Sequence, residues 1–292
     1  MREEEKKEVL QYLDSIHEIN YEMLCEIDRI CNRHGIRYYL LAGTLLGAVR
    51  HKDFIPWDDD IDIVFSREDH ARFLKVFPQE AKEKYRIVDP AAYPEFFDFI
   101  PRIIDSSVQV TNLKADHDFY DGRYSHPSAD LFIFDNVSSH FALQLTALRV
   151  VYALAMGHRP FVEHGKYSGL QKIGSYILPA IGKLIPLKYL TRLYNKLAAC
   201  GRKNSGGWYI SNDQQRAPYW GRIYKKEWFK RRVRGRIREG YFPCPKGADA
   251  ELSMIYGDYM ALPPEEDRIP EHFTSIRLSG EVSAGDGRKE DN

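Results

Sequence analysis

Apolar residues recur every three or four positions over the first 34 residues, which is the spacing of one face of an α-helix. They are Val9, Leu13, Ile16, Ile19, Met23, Ile27 and Ile30. Gly35 follows and suits a helix C-terminus. The pattern then changes to the aromatic and aliphatic run IRYYLLA at 36–42, which predicts a buried strand. A long amphipathic helix over residues 5–34 therefore leads into a β-sheet.

A second strand is predicted at DIDIVF, residues 60–65, because acidic and apolar residues alternate there with the period of two of a strand. A short helix is expected between the two strands, at 44–51. Ser66 and Asp69 have the spacing of a capping box, so a helix should follow the second strand directly. Further strands are predicted at residues 85–89, 99–105, 108–111 and 129–135, and mostly helix at 138–200.

These elements predict an α+β fold, with a mixed sheet core, flanking helices and a helical insertion or subdomain. We expect five regions: an N-terminal helix packing on the core (1–35), a catalytic core (36–140), the helical insertion (141–200), a C-terminal region that completes the domain (201–277) and a disordered tail (278–292). The C-terminal region is irregular and aromatic-rich apart from a short helix at 248–256. The tail lacks apolar residues that would anchor it.

Composition and charge exclude a general attraction to polyanions. The chain of 292 residues is 43% apolar, enough to fill a core, and its 42 lysines and arginines are balanced by 42 aspartates and glutamates. No net charge therefore attracts nucleic acid or an anionic membrane. The densest basic run is KKEWFKRRVRGRIR at 225–238. We interpret it as a solvated face, with docking of a phosphate-rich glycan or a lipid-phosphate carrier as the alternative, since no RNA-binding motif surrounds it.

The cysteine pattern and the N-terminus favour a cytoplasmic protein. The four cysteines form no CxxC pair, and the charged start MREEEKKEVL lacks the apolar core of a secretory signal. The two most apolar stretches, 141–156 and 173–187, are interrupted by Arg149 and by Lys183, so neither is expected to span a membrane. They are predicted to be core or interfacial helices, which permits peripheral attachment at the inner face of the plasma membrane.

The stretch IPWDDDIDIV, residues 55–64, carries four carboxylates within five residues. In a strand, Asp60 and Asp62 face the same side with Cα atoms about 7 Å apart. Two such carboxylates repel each other unless a cation lies between them, and oxygen ligands suit Mg²⁺ or Mn²⁺ shared with substrate phosphates. Asp58 and Asp59 are equally well explained as solvated loop acids, and strand alternation points Asp59 away from the other three.

A third acid and a phosphate-binding turn are the other candidates. Asp130 opens the predicted strand DLFIFD and is the best third carboxylate, because two-metal phosphoryl transfer commonly uses a further acid. Asp135 closes that strand and is assigned to a cap or turn. Gly43 and Thr44 lie between a strand and a helix N-terminus, whose free N–H groups bind anions. Arg50 follows on the same short helix and can meet phosphate charge.

The order of these motifs resembles the nucleotidyltransferase superfold, typified by DNA polymerase beta, in which a Gly-Thr turn and a helix precede an hDhDh strand and a later strand acid. LLAGTLLGAVRHKDFIPWDDDIDIVF, residues 40–65, is similar to the signature of the LicD family, which includes bacterial phosphocholine transferases and is related to fukutin and fukutin-related protein. SADLFIFDN resembles the family's second acidic strand, although Ile133 stands where a proline is usual. EGYFPCP, MIYGDYMALPP, Arg268 and His272 resemble its C-terminal block.

This resemblance implies a nucleotidyltransferase-type fold and transfer of a phospho-substituted alcohol, above all phosphocholine, from a CDP-linked donor such as CDP-choline. The acceptor would be a sugar hydroxyl of a cell-surface glycan or of its lipid-linked precursor. The implied metal ligands for Mg²⁺ or Mn²⁺, which are also the catalytic acids, are Asp60, Asp62 and Asp130. The implied substrate-binding residues are Gly43, Thr44, Arg50 and Asp58. Whether Asp130 also accepts the acceptor's proton stays open.

Three other functions remain open. A nucleotidyltransferase that adds a nucleoside monophosphate would use the same acids. A glycosyltransferase with a DxD motif would normally carry a longer βαβ nucleotide-binding region before it, and a non-enzymatic adaptor at a membrane surface would leave the aspartates unexplained. The histidines in the middle of the chain show no HExxH spacing, so zinc is not expected. Phe119, Tyr120, Tyr124 and the later tryptophans are candidates for a choline cage, with none assigned.

Overall fold

The computed structural model describes residues 3–90, 92–93, 96, 98–112, 125–159, 162, 164–213, 219–270 and 273–278. Within these ranges, side chains are described from residue 12 onward, except at 111–112, 166 and 273–278. The choline-cage candidates Phe119, Tyr120 and Tyr124, His272 and the tail from residue 279 lie outside the described residues.

The described chain forms a mixed arrangement of helices and strands. The helices are α1 (Glu3–His34), α2 (Ala42–Leu46), α3 (Arg67–Glu80), α4 (Phe141–Ala155), α5 (Gly169–Gly182), α6 (Leu187–Ala198) and α7 (Ala248–Tyr256). The strands are β1 (Tyr38–Leu40), β2 (Ile61–Ser66), β3 (Tyr85–Val88), β4 (Arg102–Asp105), β5 (Val108–Asn112), β6 (Ser128–Asn136), β7 (Gly207–Ile210), β8 (Tyr224–Lys225), β9 (Arg232–Ile237), β10 (Gly240–Pro245) and β11 (Phe273–Leu278). A π-helical turn, Gly47–His51, continues α2.

Helix α1 forms where the apolar positions repeat with the helical period, as predicted. Its buried stripe places Met23, Ile27 and Ile30 in the main core, and Leu13 and Ile16 in a smaller cluster with Val110 of β5. The helix is followed by Gly35, whose φ of +59° lies in the left-handed region that glycine adopts without strain. The chain can therefore turn directly from α1 into the first strand of the sheet.

The central sheet runs in the order β1, β2, β6, β4, β3. β2 and β6 are parallel neighbours, with Asp62 beside Asp130, whereas β1, β3 and β4 pair antiparallel with their neighbours. β6 is nine residues long, so its first part pairs with β4 and its last part with β7, which pairs with β8. All of β6 except its two end residues is buried. This mixed sheet with flanking helices is consistent with the predicted α+β class.

The structure differs from the predicted elements at β1, at β4 and in the C-terminal region. β1 is shorter than the predicted 36–42 because the chain enters α2 at Ala42, and β4 begins at Arg102 instead of residue 99. The C-terminal region, expected to be irregular, contains strands β7 to β10 and most of β11. Pro243 and Pro245 hide the strand pattern of the β9–β10 hairpin, and β9 exposes its arginines. That exposure agrees with the interpretation of the basic run as a solvated face.

Helix α3 is anchored at its first turn to the end of β6. Ser66 caps the helix as predicted, because its Oγ accepts the N–H of Asp69 at 3.2 Å. Arg67 donates from Nε and from Nη2 to the carboxylate of Asp135 at 2.7 and 2.5 Å, and from Nη1 to Asn195 of α6 at 2.9 Å. Asp135 is therefore a structural acid near the end of β6, but it acts through an ion pair with Arg67 instead of the predicted cap or turn. Through Arg67 it joins the sheet to α6.

The helical insertion is built on a close approach of α4 and α5. A Cβ on Gly182 would overlap the carbonyl oxygen of Leu154, so only glycine permits this packing. By length and hydropathy alone, Phe141–His158 could cross a membrane, which differs from the expectation from sequence. In the fold, this segment buries Leu145 and Leu148 in a cluster shared with α6, and 33% of the segment is buried inside the protein.

The buried His70 of α3 predicts a fold that is sensitive to acid. Burial, and then the nearby Arg67 guanidinium, lowers the pKa of His70 from 6.5 to about 3. The unfolded chain therefore binds more protons than the folded protein as the pH falls through this interval, and stability is lost. We predict that His70→Phe, which removes the titrating group, weakens the dependence of the free energy of unfolding on pH by about 1 kcal/mol per pH unit.

Urea unfolding at about pH 7 and about pH 5 measures this slope. The same substitution at the exposed His140 serves as the control and should leave the slope of the unmodified protein. If His70→Phe and His140→Phe gave the same slope, a neutral buried imidazole at position 70 would be excluded.

Candidate active site

An open cavity of about 620 Å³ collects residues from four separate parts of the chain. These parts are α2 with its π-helical turn, the acidic stretch that leads into β2, Tyr219, and the segment 255–263 that begins in α7. The volume lies in the range of small-molecule sites. Most of the site residues predicted from sequence line it, namely Gly43, Arg50, Asp58, Asp60 and Asp62.

The acids of the stretch 58–62 have two different environments. Asp58, Asp60 and Asp62 line the cavity and are partly exposed. Asp59 is absent from the cavity lining and is fully buried. Burial, and then the charge of Asp59, raises the pKa of the Tyr12 phenol, so the Asp59 carboxylate lies near α1. Asp59 has the expected opposite orientation, and it is structural rather than solvated.

Helix α1 holds the backbone of the acidic stretch. His17 Nε2 donates to the carbonyl oxygen of Asp58 at 2.8 Å, and Asn20 Nδ2 donates to that of Asp59 at 3.2 Å. The His17 ring stacks on Phe54 with 5.1 Å between centroids. Burial lowers the pKa of His17, which favours the neutral ring with a single N–H to donate. Two polar residues of α1 therefore hold the backbone at the start of the acidic stretch in place.

Gly43 leaves room for the carboxylate of Asp58. A Cβ at position 43 would lie 2.5 Å from Asp58 Oδ2, so a larger residue would displace that side chain. Ala42, directly before it, has a φ of +44°, in the left-handed region that residues other than glycine rarely adopt. Such strain persists only where the surrounding structure imposes it, and here it falls on the cavity wall.

Thr44 does not line the cavity. It is fully buried, and its Oγ1 accepts the backbone N–H of Asp62 at 2.8 Å. This bond ties α2 to the start of β2 and so sets the position of Asp62. The structure gives Thr44 a positioning contact with β2, and its predicted contact with a donor phosphate stays a prediction.

Asp130 lies beside Asp62 on the sheet but is not part of the cavity lining. The two residues are aligned across the parallel strands β2 and β6, so their side chains leave the same face of the sheet. Asp130 is only 4% exposed, and its Oδ1 lies 2.8 Å from Nε of Arg102 on β4. Arg102 also contacts Asp98 at 3.2 Å. An arginine therefore neutralises the carboxylate that is aligned with Asp62.

Arg50 joins the acidic side of the cavity to the C-terminal segment. Its Nη1 donates to the carbonyl oxygens of Tyr259 and Ala261 at 2.7 and 3.1 Å, and its Nε donates to His51 at 3.0 Å. Arg50 lies in the π-helical turn, a feature that often marks functional sites in helices. Part of its guanidinium is thus used to hold the opposite wall, while the side chain still lines the cavity.

Comparison with known proteins identifies the family. A profile described as LicD/FKTN/FKRP, nucleotidyltransferase domain, matches residues 35–144. The lipopolysaccharide cholinephosphotransferase LicD of Haemophilus influenzae is 31% identical over an alignment of 256 positions, which covers 84% of this chain and 89% of that protein. The chain belongs to the LicD family. The ribitol 5-phosphate transferases FKRP of Mus musculus and Homo sapiens are 57% identical over 35 residues, or 12% of this chain and 7% of each relative.

The LicD profile covers the acids of β2 and β6 but not the whole cavity. The wall formed by residues 255–263 lies beyond the matched range. The site of this LicD protein is therefore completed by chain that follows the helical insertion.

Two carboxylates that line the cavity, Asp60 and Asp62, are the candidate ligands of the predicted divalent cation. In the part of the chain that the structure describes, no group of three or more His, Cys, Asp or Glu is arranged to hold an ion. Asp60 and Asp62 line the cavity two positions apart, whereas Asp130 is engaged with Arg102. Mg²⁺ commonly takes one or two carboxylates and completes its coordination with water and substrate phosphates. The cavity acids fit that mode of binding.

Several residues of the LicD site were not selected from the sequence. Arg102 is visible there only as one of two charged residues, with Asp105, in the predicted strand 99–105. Tyr219 is buried beside Asp62, and burial, followed by the charge of Asp62, raises the pKa of its phenol. Tyr256 and Asp258 line the cavity from MIYGDYMALPP, a segment whose resemblance to the family was apparent but within which no residue stood out.

The ion pair between Arg102 and Asp130 yields a stability prediction. Arg102→Met leaves the Asp130 carboxylate buried without its partner, so we expect the free energy of unfolding to fall by about 2 to 3 kcal/mol. This is the low end for a buried pair, because the Arg102 side chain is 32% exposed. Arg102→Met combined with Asp130→Asn should cost less than Arg102→Met alone, since the unpaired charge is then removed. Urea unfolding measures both variants.

Arg72→Met is the matched control, because Arg72 forms a 2.9 Å pair with Asp69 near the surface. Its loss should cost less than about 1 kcal/mol. Equal costs for the two arginine variants would contradict a special role of Arg102 in neutralising Asp130.

Proposed function

We propose that this LicD-family protein transfers phosphocholine from a CDP-linked donor, CDP-choline being the first candidate, to a sugar hydroxyl of a surface glycan or of its lipid-linked precursor. The observation that carries the proposal is one cavity in which Asp60, Asp62 and Arg50 lie with aromatic side chains. Homology to the lipopolysaccharide cholinephosphotransferase of H. influenzae supports a phosphotransferase and phosphocholine as the transferred group. The local similarity to the FKRP proteins supports the wider class of phospho-alcohol transfer.

In the proposed reaction, the oxygen of the acceptor hydroxyl bonds to the phosphorus that carries choline. The bond from that phosphorus to the bridging oxygen of the diphosphate breaks, CMP leaves with the electron pair, and the hydroxyl proton passes to a base. Catalysis of this type depends mainly on positioning and on neutralising the phosphate oxygens. A cavity with fixed charges on rigid elements suits that task.

The donor's negative charge must be compensated in a cavity lined by aspartates. Mg²⁺ or Mn²⁺ held by Asp60 and Asp62 would supply this compensation at the diphosphate and at the leaving CMP. Arg50 would meet a further phosphate oxygen. Asp58, whose carboxylate packs on Gly43, supports the geometry of the two proposed ligands.

The acceptor proton requires a carboxylate that can reach the substrate. Asp130 Oδ1 is engaged with Arg102 at 2.8 Å, so this oxygen is not available to a hydroxyl of the acceptor. Asp258 is exposed and lines the cavity from the segment after α7. We therefore propose Asp258 as the carboxylate that contacts the acceptor.

The aromatic part of the cavity suits a quaternary ammonium group. Trp57, Tyr256 and Tyr259 line the same space as Asp60 and Asp258. Aromatic faces attract a trimethylammonium cation, and nearby carboxylates add to the attraction. These rings are choline-cage candidates among the described residues, and the mid-chain aromatics, which lie outside them, stay a prediction.

The cytoplasmic setting stays part of the proposal. All four cysteines are free thiols, two of them buried, which supports a reducing compartment. A CDP-linked donor and a glycan precursor would meet the cavity on that side.

The competing transferases are separated by their products. Purified protein is incubated with Mg²⁺ and, in turn, CDP-choline, other CDP-alcohols, UDP-sugars and ATP, and the nucleotide released is identified. CMP from CDP-choline supports the proposal. UDP would indicate a glycosyltransferase and pyrophosphate a nucleotidyltransferase, and either result would overturn it.

Removing one proposed ligand should stop the reaction without unfolding the protein. We predict that Asp60→Asn and Asp62→Asn each lower CMP release by about 100-fold or more, since charge neutralisation at the phosphates carries most of the catalysis. Circular dichroism should show an unchanged fold. Asp14→Asn, at an exposed acid of α1, is the control and should keep full activity. Turnover that survives in both site variants would refute the ligand assignment.

The aromatic side chains that line the cavity should determine the preference for a donor that carries choline. We predict that Trp57→Leu and Tyr256→Leu lower kcat/KM for CDP-choline by about tenfold, as the loss of a desolvated cation–π contact requires. The loss should be smaller for CDP-ribitol, whose alcohol carries no charge. Equal losses for the two donors would mean that these rings shape the cavity without recognising the ammonium group.

A further inference from the structure

Helix α5 carries its large apolar side chains on the outside. They form one row at spacings of three and four, and their exposed fractions run from 47% to 85%. We call this row the α5 face; it consists of Leu170, Ile173, Ile177, Ile181 and Leu184. A surface helix of a folded domain normally turns such a stripe toward the core. The α5 face is turned the other way.

The opposite side of α5 explains why the helix cannot rotate. The buried residues there are small or lack a long side chain, namely Ser175, Pro179 and Gly182. Gly182 packs directly on the carbonyl of Leu154, and Gly157 on that of Pro179. Turning the α5 face inward would place large side chains where only glycine fits, so the packing against α4 fixes the apolar row outward.

The chain segment that contains this face has a strongly unbalanced charge. Residues 136–212 contain ten lysines and arginines and a single acid, Glu163, whereas the rest of the chain has 32 basic and 41 acidic residues. The exposed basic residues include Lys172 on α5 and Lys183 directly after it. Helix α6 exposes Lys188, Arg192 and Lys196. The balanced charge of the whole chain hides this separation.

We propose that the α5 face docks the protein on an anionic membrane surface, with the apolar row entering the lipid interface and the surrounding lysines and arginines meeting the headgroups. An amphipathic helix that combines an apolar row with basic flanks binds membranes in this way. Tyr176, on α5 itself, is also exposed, and tyrosine is enriched at membrane–water interfaces. The proposal does not depend on the transfer reaction.

A second copy of the chain is the less suitable occupant. In a symmetric dimer the same surface meets itself. The basic residues that accompany the α5 face in one copy would then approach those of the other copy, without acids to balance them. An anionic surface removes this repulsion. The charge pattern therefore distinguishes the two occupants.

The test is flotation of the full chain with vesicles of phosphatidylcholine alone and of phosphatidylcholine mixed with phosphatidylglycerol. The protein should float with the anionic vesicles, remain behind with the neutral ones, and be released by added salt. Ile173→Gln combined with Ile177→Gln should lower the bound fraction by about tenfold or more. Circular dichroism should be unchanged, because both side chains face outward.

Val233→Gln is the matched control, since Val233 is 44% exposed within the basic run 225–238. It should float like the unmodified protein. Loss of flotation with Val233→Gln but not with the α5 variant would assign docking to the β9–β10 hairpin and overturn the proposal. Equal flotation with both vesicle types, or none at all, would also overturn it. A dimer in solution that the α5 substitutions dissociate, without vesicle binding, would show that a second copy covers the face.

Discussion

The mutual repulsion of four carboxylates at the start of β2 is the constraint on which the rest of the site depends. The backbone at three of these acids is held by a different neighbour in each case. Asp59 is turned into the core toward α1, and the backbone at Asp58 and Asp59 is bonded by His17 and Asn20. The N–H of Asp62 is bonded by Thr44. What remains facing the cavity is a set of three carboxylates with fixed positions.

The carboxylate of Asp130 on β6 is also held in place, in this case by an ion pair. Parallel pairing of β2 and β6 forces Asp130 beside Asp62, and Arg102 of the next strand supplies the balancing charge. The sheet therefore carries an acid, an acid and a base in register on three adjacent strands. With Asp130 paired to Arg102, Asp60 and Asp62 are the two proposed ligands that present negative charge to the cavity, beside the supporting Asp58.

Acidic and basic residues are concentrated in different parts of the molecule, the acids at the cavity and the bases in the segment that contains the α5 face. Acids collect at the start of β2 and in the segment after α7, while bases dominate the helical insertion. Arg50 links the two cavity walls through the carbonyls of Tyr259 and Ala261, so the N-terminal and C-terminal parts of the site form one unit. A phosphotransferase with an acceptor on a membrane-bound glycan would use both features, the cavity for transfer and the helical surface for location.

The sequence by itself determined the local elements and the identity of the cavity acids. The stripe of α1, the cap at Ser66 and the alternation around Asp60 and Asp62 all depend on neighbours a few residues away, which makes them accessible to periodicity. Tertiary structure alone decided the partners: Arg102 for Asp130, Asp62 for Thr44, and the segment 255–263 as the second wall. It also turned the apolar row of α5 outward, because the contact of Gly182 with Leu154 cannot be inferred from spacing. Such contacts join residues far apart in the chain, and no local pattern encodes which of them meet.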